Sequence, residues 1–278
     1  MTLLAMSLLV WMASFVAGLV GSLTGLGGGV VVVPLLALVF HVDLRLAMGA
    51  SLLSVIATSS GAAAAYVRDG VSNVRLGMFL EIATTVGALA GAAATGLVAT
   101  GALAVVFGAV LLSAAVLSLR RAHEHPPAPS TGALAVSMRL ASTYPDGDRR
   151  VEYGVHRVGA GMGLMFVAGA LSGLLGIGSG ALKVVAMDDV MRLPFKVSTT
   201  TSNFMIGVTA AASAGVYLFR GYVDAGLAAP VVLGVLPGAL LGARMLSRLR
   251  TRPLRLLFAA VIGLLALEMF YKGATGRL

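Results

Sequence analysis

The sequence predicts an all-α polytopic membrane protein made of two inverted repeats, each of about four transmembrane helices, with a small cytoplasmic β-hairpin insert between them. In each repeat the first helix is expected to break into a hairpin at a Gly-rich turn. Three observations carry this expectation. Of the 278 residues, 58% are hydrophobic and 11% charged, with a mean hydropathy of +0.97, whereas a soluble domain carries about 25% charged residues. Runs of ~20 apolar residues recur, long enough to cross a hydrocarbon core of ~30 Å, and they are continuously apolar, which argues against an outer-membrane barrel. Finally, the chain repeats itself. Shifting residues 16–119 by 151, the distance from Gly18 to Gly169, also places Gly25 on Gly176, Gly27 on Gly178, Gly29 on Gly180, Ser51 on Ser202, Tyr66 on Tyr217 and Gly70 on Gly221.

In chain order, the first half has apolar segments at 3–23, 30–40, 45–67, 76–99 and 102–119. The second half has them at 158–175, 181–191, 196–219, 225–247 and 254–271. The opening segment lacks a basic n-region and a clear small-x-small cleavage site, and its Gly18–Gly29 pattern returns at Gly169–Gly180. It therefore reads as a membrane segment of the mature protein. Segments 30–40 and 181–191 are too short to span alone; the former covers only ~16 Å as a helix. Each joins the segment before it as a broken helix or a hairpin dipping to mid-membrane. Irregular backbone at that depth is tolerated only inside protein or against a watery cavity. The boundaries follow: 1–121 and 157–278 are the membrane repeats, and 122–156 is the insert.

Orientation comes from the arginines. Arg244, Arg248, Arg250, Arg252 and Arg255 put the loop before the last segment in the cytoplasm. Counting back, the loop at Arg220–Asp224 lies outside and the Arg192–Lys196 loop inside. The insert, with Arg120, Arg121, Arg149, Arg150 and Arg157, is also inside. Only a hairpin at the glycines satisfies both, so each repeat makes an odd number of passes, the halves are inverted and both termini face outward. Within the insert, Pro126-Pro127-Ala128-Pro129 is a stiff linker. The alternation at Leu134, Val136, Met138 and Leu140 reads as a strand, Pro145-Asp146-Gly147-Asp148 as a turn, and Val151, Tyr153 and Val155 as the returning strand.

Composition also excludes functions. The net charge of +9 sits in loops and at helix ends, with no aromatic interleaving for base stacking, so nucleic acid is not a partner. The absence of cysteine removes disulfides, thiolate metal sites and cysteine nucleophiles. His41, His123, His125 and His156 fall in loops without zinc spacing, so neither a metal nor a cofactor is expected. No paired acid and base is visible, which argues against an enzyme. Trp11 and Tyr271 suit the interfaces of a lipid bilayer.

Two motifs carry the chemistry: Gly25-Leu26-Gly27-Gly28-Gly29 and Gly176-Ile177-Gly178-Ser179-Gly180. Neither is followed by Lys-Ser/Thr or joins a strand to a helix, so a phosphate loop is excluded. Close helix packing accounts for Gly87, Gly91, Gly238 and Gly242, but poorly for glycines at alternate positions. Those suit a chain reversal with bare amides. Beside a helix N-terminus such a turn favours an anion, and two facing turns would make one site from Gly27, Gly28, Gly29, Gly178, Ser179 and Gly180. Lys183 follows in an apolar stretch, where a lysine costs ~2.5–3.5 kcal/mol. It either attracts an anionic substrate, pairs with Asp188 or Asp189, or snorkels to the surface. Ser51, Thr200, Thr201, Ser202 and Asn203 either donate to anion oxygens or serve as caps and interhelix bonds. Glu81 either carries a coupling proton or pairs with Arg75 at a helix end.

These motifs, together with Phe195-Lys196-Val197-Ser198-Thr199-Thr200-Thr201-Ser202-Asn203-Phe204, resemble the TauE/SafE family of sulfite exporters, also called the toluene sulfonate uptake permeases (TSUP). The resemblance covers nearly the whole chain. It implies a multi-pass transporter of the bacterial or archaeal inner membrane. Its substrate would be a sulfur-containing anion, sulfite or an organosulfonate, moved by alternating access in the export direction. A passive anion channel, or an importer of a related small organic anion, remains the alternative, and a homodimer is left open. Two departures set the second motif apart: Val185 stands where Pro34 does, and Ser179 replaces the middle glycine.

Overall fold

The structure is a computed structural model that describes residues 3–24, 28–119, 130, 132–146, 149–246 and 251–276. It is mostly helical. The first half comprises α1 (Leu3–Thr24), α2 (Gly29–Pro34), α3 (Leu44–Arg68), α4 (Val74–Ala94) and α5 (Thr100–Leu119). The insert contributes α6 (Ala133–Ser137) and the strands β1 (Ser142–Asp146) and β2 (Arg149–Tyr153). The second half comprises α7 (Val158–Leu175), α8 (Gly180–Val185), α9 (Phe195–Phe219), α10 (Ala225–Leu246) and α11 (Thr251–Thr275). Among the described residues, five helices are long and apolar enough to cross a membrane, and shorter apolar helices accompany them. The surface is that of a membrane protein. Met78, Ile82 and Val86 of α4 and Leu264 and Leu267 of α11 face outward, while Ser54, Thr84, Ser172, Thr209 and Ser213 are buried. A hydrocarbon surround rewards that arrangement and water does not.

The shift of 151 seen in the sequence recurs in the backbone. It carries α2 onto α8 and α3 onto α9 residue for residue. A π-helical turn follows each short helix, at Leu35–Val39 and Ala186–Val190. His41 and Arg192, left-handed with φ of 54° and 55°, end those turns in the same way. Capping residues match too: Asn73 accepts from Leu76 N–H ahead of α4, and Asp224 from Leu227 N–H ahead of α10. Pro34 lies inside α2, but its counterpart Val185 does not prevent the second π turn, so the proline is not its cause.

The two halves interlock. α1 packs on α10, α4 on α7, α3 on α9 and α5 on α11. Glycines allow the first two pairs to approach backbone to backbone. A Cβ on Gly87 or Gly91 would overlap the carbonyl oxygens of Phe166 or Ala170, and one on Gly234 or Gly238 those of Trp11 or Phe15. Because these contacts advance together along both chains, α4 runs in the direction of α7 and α1 in that of α10.

The insert differs in part from the alternation read in the sequence. Its two strands are antiparallel, with Ser142 opposite Tyr153 and Tyr144 opposite Val151, but residues 133–137 are helical and the first strand starts at Ser142. Ala135 and Leu140 turn inward while Leu134, Val136 and Met138 face outward, so of the four alternating residues only Leu140 is covered. Ala135, Leu140, Tyr153 and Val155 pack on the ends of α4, α7 and the second π turn. The Pro126–Pro129 linker and the turn residues 147–148 lie outside the described residues.

Candidate functional site

The described end of the first glycine motif lies close to the second: an added Cβ on Gly29 would stand 3.7 Å from Ile177 O. Added Cβ atoms on Gly29 and Gly178 would both meet Val55, and the one on Gly178 would lie 2.7 Å from Ile206 Cγ2. Val55 and Ile206 are themselves related by the 151 shift; Val55 lies against both positions, and Ile206 against Gly178. Behind the tips, Ser51 Oγ donates to Gly29 O and Ser202 Oγ donates to Gly180 O, each at 3.2 Å. These hydroxyl protons tie α3 and α9 to the first residue of each short helix. Their lone pairs are left over, but their donors are engaged.

The turns themselves are unlike. Gly28 is right-handed, with φ of −65°, and its carbonyl accepts from Val31 and Val32. Its counterpart Ser179 is left-handed, with φ of 44°, between Gly178 at 76° and the start of α8. A non-glycine residue there stores roughly 1–2 kcal/mol of strain. The Ser179 hydroxyl is buried and has no partner among the described residues. Gly27 lies outside the described residues.

Lys183 is fully buried one turn into α8, its N–H accepted by Ser179 O. Its ammonium donates to Thr209 Oγ1 on α9 at 2.5 Å. Thr209 in turn donates to Glu81 Oε1 on α4 at 2.6 Å, and Thr85 donates to the same oxygen at 3.2 Å. Glu81 Oε2 is buried with no partner among the described residues. The carboxylate whose charge acts on Lys183 is Glu81. Neither sequence reading anticipated this pairing. Glu81 does not bond Arg75, which donates to Arg139 O, because six residues at ~100° each put them on different sides of α4. The hydrogen bond of the Lys183 ammonium likewise goes to Thr209 and not to Asp188 or Asp189, five and six residues further on. A buried ion pair is costly to assemble, and losing one member strands the other at about 3–5 kcal/mol.

The other sequence candidates divide. Thr201 Oγ1 accepts the Asn73 N–H, and Thr200 Oγ1 donates back to Lys196 O within its own helix. Asn203 is half-buried, and its carbonyl accepts Ser59 Oγ at 2.6 Å, linking α3 to α9. Asn73 also donates to Leu140 O and to Tyr153 Oη, which fastens the insert to the membrane helices. Burial pushes the Tyr153 phenol up, so it stays neutral in that role. Sequence reasoning missed Thr209 and Thr85. The available signal was a polar stripe, Thr201, Thr209 and Ser213, at multiples of four residues on one face of an apolar helix. No group of His, Cys, Asp and Glu that could hold a metal occurs among the described residues.

The family described as Sulfite exporter TauE/SafE matches residues 10–269 of the chain. The chain is 28% identical over 265 residues to the Probable membrane transporter protein YunE of Bacillus subtilis (strain 168), spanning 93% of this chain and 95% of that protein. It is 27% identical over 264 residues to the Probable membrane transporter protein YdhB of the same organism, spanning 94% and 100%. A shorter match, 36% over 98 residues, is to its Probable membrane transporter protein YjnA, and covers 34% of this chain and 38% of that protein. No solved structure matches the chain.

Proposed function

The chain belongs to the sulfite exporter TauE/SafE family of membrane transporters, and from that premise we propose that it carries a sulfur-containing anion, sulfite or an organosulfonate, out of the cell by alternating access. The observation that carries the reading is the ammonium of Lys183, fully buried one turn behind a glycine tip at the meeting point of the two halves. Around it stand the left-handed Gly178-Ser179 turn with its unpartnered hydroxyl, and the Gly28-Gly29 turn from the other side. The anion binds between the tips, drawn by Lys183 and by amide groups. Asn203 and the oxygens of Ser51, Thr201 and Ser202 line the approach. Movement of one set of helices against the other opens this site to each side in turn.

The scaffold proposed for this is two inverted repeats, 1–121 and 157–278, with a cytoplasmic insert at 122–156. Several contacts support it. His156 N–H bonds Met191 O, so α7 and the helix after its glycine turn begin and end on one face. The insert sits on the starts of α4 and α7, whereas α10 begins after α9 has crossed to the far side. The parallel runs of α1 with α10 and of α7 with α4 are those that an inverted pair of halves requires.

Three experiments test this. Purified protein is screened by thermal shift against sulfite, sulfate, methanesulfonate and acetate. Stabilisation by sulfur oxyanions over acetate supports the substrate class, and the reverse order rejects it. In proteoliposomes, accumulation of the bound anion against its gradient distinguishes a transporter from a passive channel. For topology, Arg192→Cys should label only from the cytoplasm and Ala225→Cys only from outside.

A further inference from the structure

We propose that Glu81 takes up one proton when an anion binds at Lys183, so that anion and proton occupy this site together. The inference rests on the anion reading above and adds a co-bound proton to it; outward movement of the pair would be driven by the anion's own gradient. Its basis is the three-residue bridge across α8, α9 and α4: Lys183 to Thr209, and Thr209 to Glu81.

The arrangement is a balance of charge through a single hydroxyl. Lys183 is 0% exposed, Thr209 0% and Glu81 7%, so water screens none of them well. Lys183 has three N–H donors, and one goes to Thr209. Two donors therefore remain for a ligand at the tip. One buried cation faces one buried carboxylate through Thr209. An arriving sulfonate places a second anion on the same cation. In a low-dielectric interior, two anions sharing one cation raise the cost of keeping both ionised. A sulfonate is too weak a base to take a proton near neutral pH. Glu81 is the group that can.

The hydrogen bonds fit this division of labour. Thr209 and Thr85 both donate to Oε1, while Oε2 is buried and has no partner among the described residues. A proton from water can therefore bond to Oε2 without breaking either bond at Oε1. Carboxylate plus proton becomes carboxylic acid, and on anion release the proton returns to water. The Thr209 hydroxyl also has an alternative acceptor, Met205 O at 2.9 Å, to which its hydrogen can turn once Glu81 is neutral.

Other charges near Glu81 are few. α7, packed against α4, has no ionisable side chain between Val158 and Leu175. On α9 the ionisable groups are Lys196 in the first turn, which lies over the Tyr144 ring, and Tyr217 near the far end, bonded to Leu174 O. On α4 itself Arg75 bonds Arg139 O. On α8 and its π turn stand Lys183, Asp188 and Asp189. The 151 shift maps Lys183, Thr209 and Glu81 to Val32, Thr58 and Val232, so the first half offers no second proton site of this kind. One proton per anion is the expected stoichiometry.

The test is calorimetric titration of the full-length protein in detergent with methanesulfonate, which stays ionised throughout, at several pH values and in buffers of different ionisation enthalpy. The expected result is close to one proton taken up per anion over a range of pH. Within that range affinity should weaken as much as tenfold per pH unit on the alkaline side. Glu81→Gln, which holds the side chain neutral, should bind with no proton uptake and with affinity flat across pH. Zero proton uptake and pH-independent affinity in the wild-type protein would overturn the linkage while leaving the anion site standing. Uptake that persists in Glu81→Gln would assign the proton to another group and also overturn it. If neither methanesulfonate, sulfate nor sulfite binds at any pH, the anion reading falls and the linkage falls with it. If Glu81→Gln fails to fold, Glu81→Asp takes its place: the pH range of proton uptake should move with the altered carboxylate, and an unmoved range would overturn the assignment to Glu81.

Discussion

At the first broken helix Val32 occupies the place that Lys183 holds at the second. Thr58, one of its neighbours by the same shift, bonds back to Ser54 O in its own helix, and Val232 stands where Glu81 would be. The backbones of the two regions nevertheless agree in their short helices, their π turns and their left-handed closing residues. Ser51 and Ser202 make the same 3.2 Å bond. The shared part is scaffold: it breaks a helix and holds the break. The unshared part is chemistry. A duplicated fold needs its turns twice, but one buried cation and one carboxylate suffice for a single anion, and a second pair would add desolvation cost without a second ligand.

The largest expected effect comes from making the second half resemble the first. Lys183→Met should lower stability by about 3–5 kcal/mol through the stranded Glu81, and weaken anion binding roughly tenfold or more, at ~1.4 kcal/mol per factor of ten. The double change Lys183→Met with Glu81→Leu should recover the melting temperature without the affinity. A double variant no more stable than the single one would show that the pair is not an energetic unit.

Next comes the tip. Gly178→Val places a branched side chain at φ of 76°, with its Cβ 2.7 Å from Ile206 Cγ2. Anion binding should disappear, at a stability cost of about 1–3 kcal/mol, while the protein remains inserted. Retention of affinity in this variant would remove the tip from the site.

A smaller effect sharpens the comparison. Ser51→Ala and Ser202→Ala each delete one bond to the start of a short helix, and each should cost about 0.5–1.5 kcal/mol in melting experiments. Equal losses of stability with unequal losses of affinity would separate the shared scaffold from the unshared chemistry. The smallest change is Ser179→Gly. It relieves left-handed strain and removes a buried hydroxyl without a partner, so stability should rise by up to ~1 kcal/mol. If affinity falls at the same time, the hydroxyl contacts the anion. Unchanged affinity assigns the turn's contribution to its amides.

Much of the fold was legible before any coordinates. Continuous apolar runs marked membrane helices because hydrocarbon accepts little else, and the recurring glycines marked both breaks because a reversal at that depth needs residues without a Cβ. The insert was legible only as a hairpin. Its alternating residues Leu134, Val136 and Met138 point away from the core, and periodicity alone does not tell which face will be covered. The site was legible residue by residue, not as a constellation. Lys183 and Glu81 each stood out as charges in apolar stretches, but 102 positions separate them, so nothing local joins one to the other.

The sequence by itself determined that this is a membrane protein built twice from one plan, since composition and a fixed shift are properties of the chain alone. Tertiary structure decided which charges meet. Lys183 meets Glu81 because the packing of α4 and α8 on α9 places Thr209 between lysine and glutamate. Electrostatic partnership depends on distance through space and on exclusion of water, and both are fixed only when the two halves close on one another.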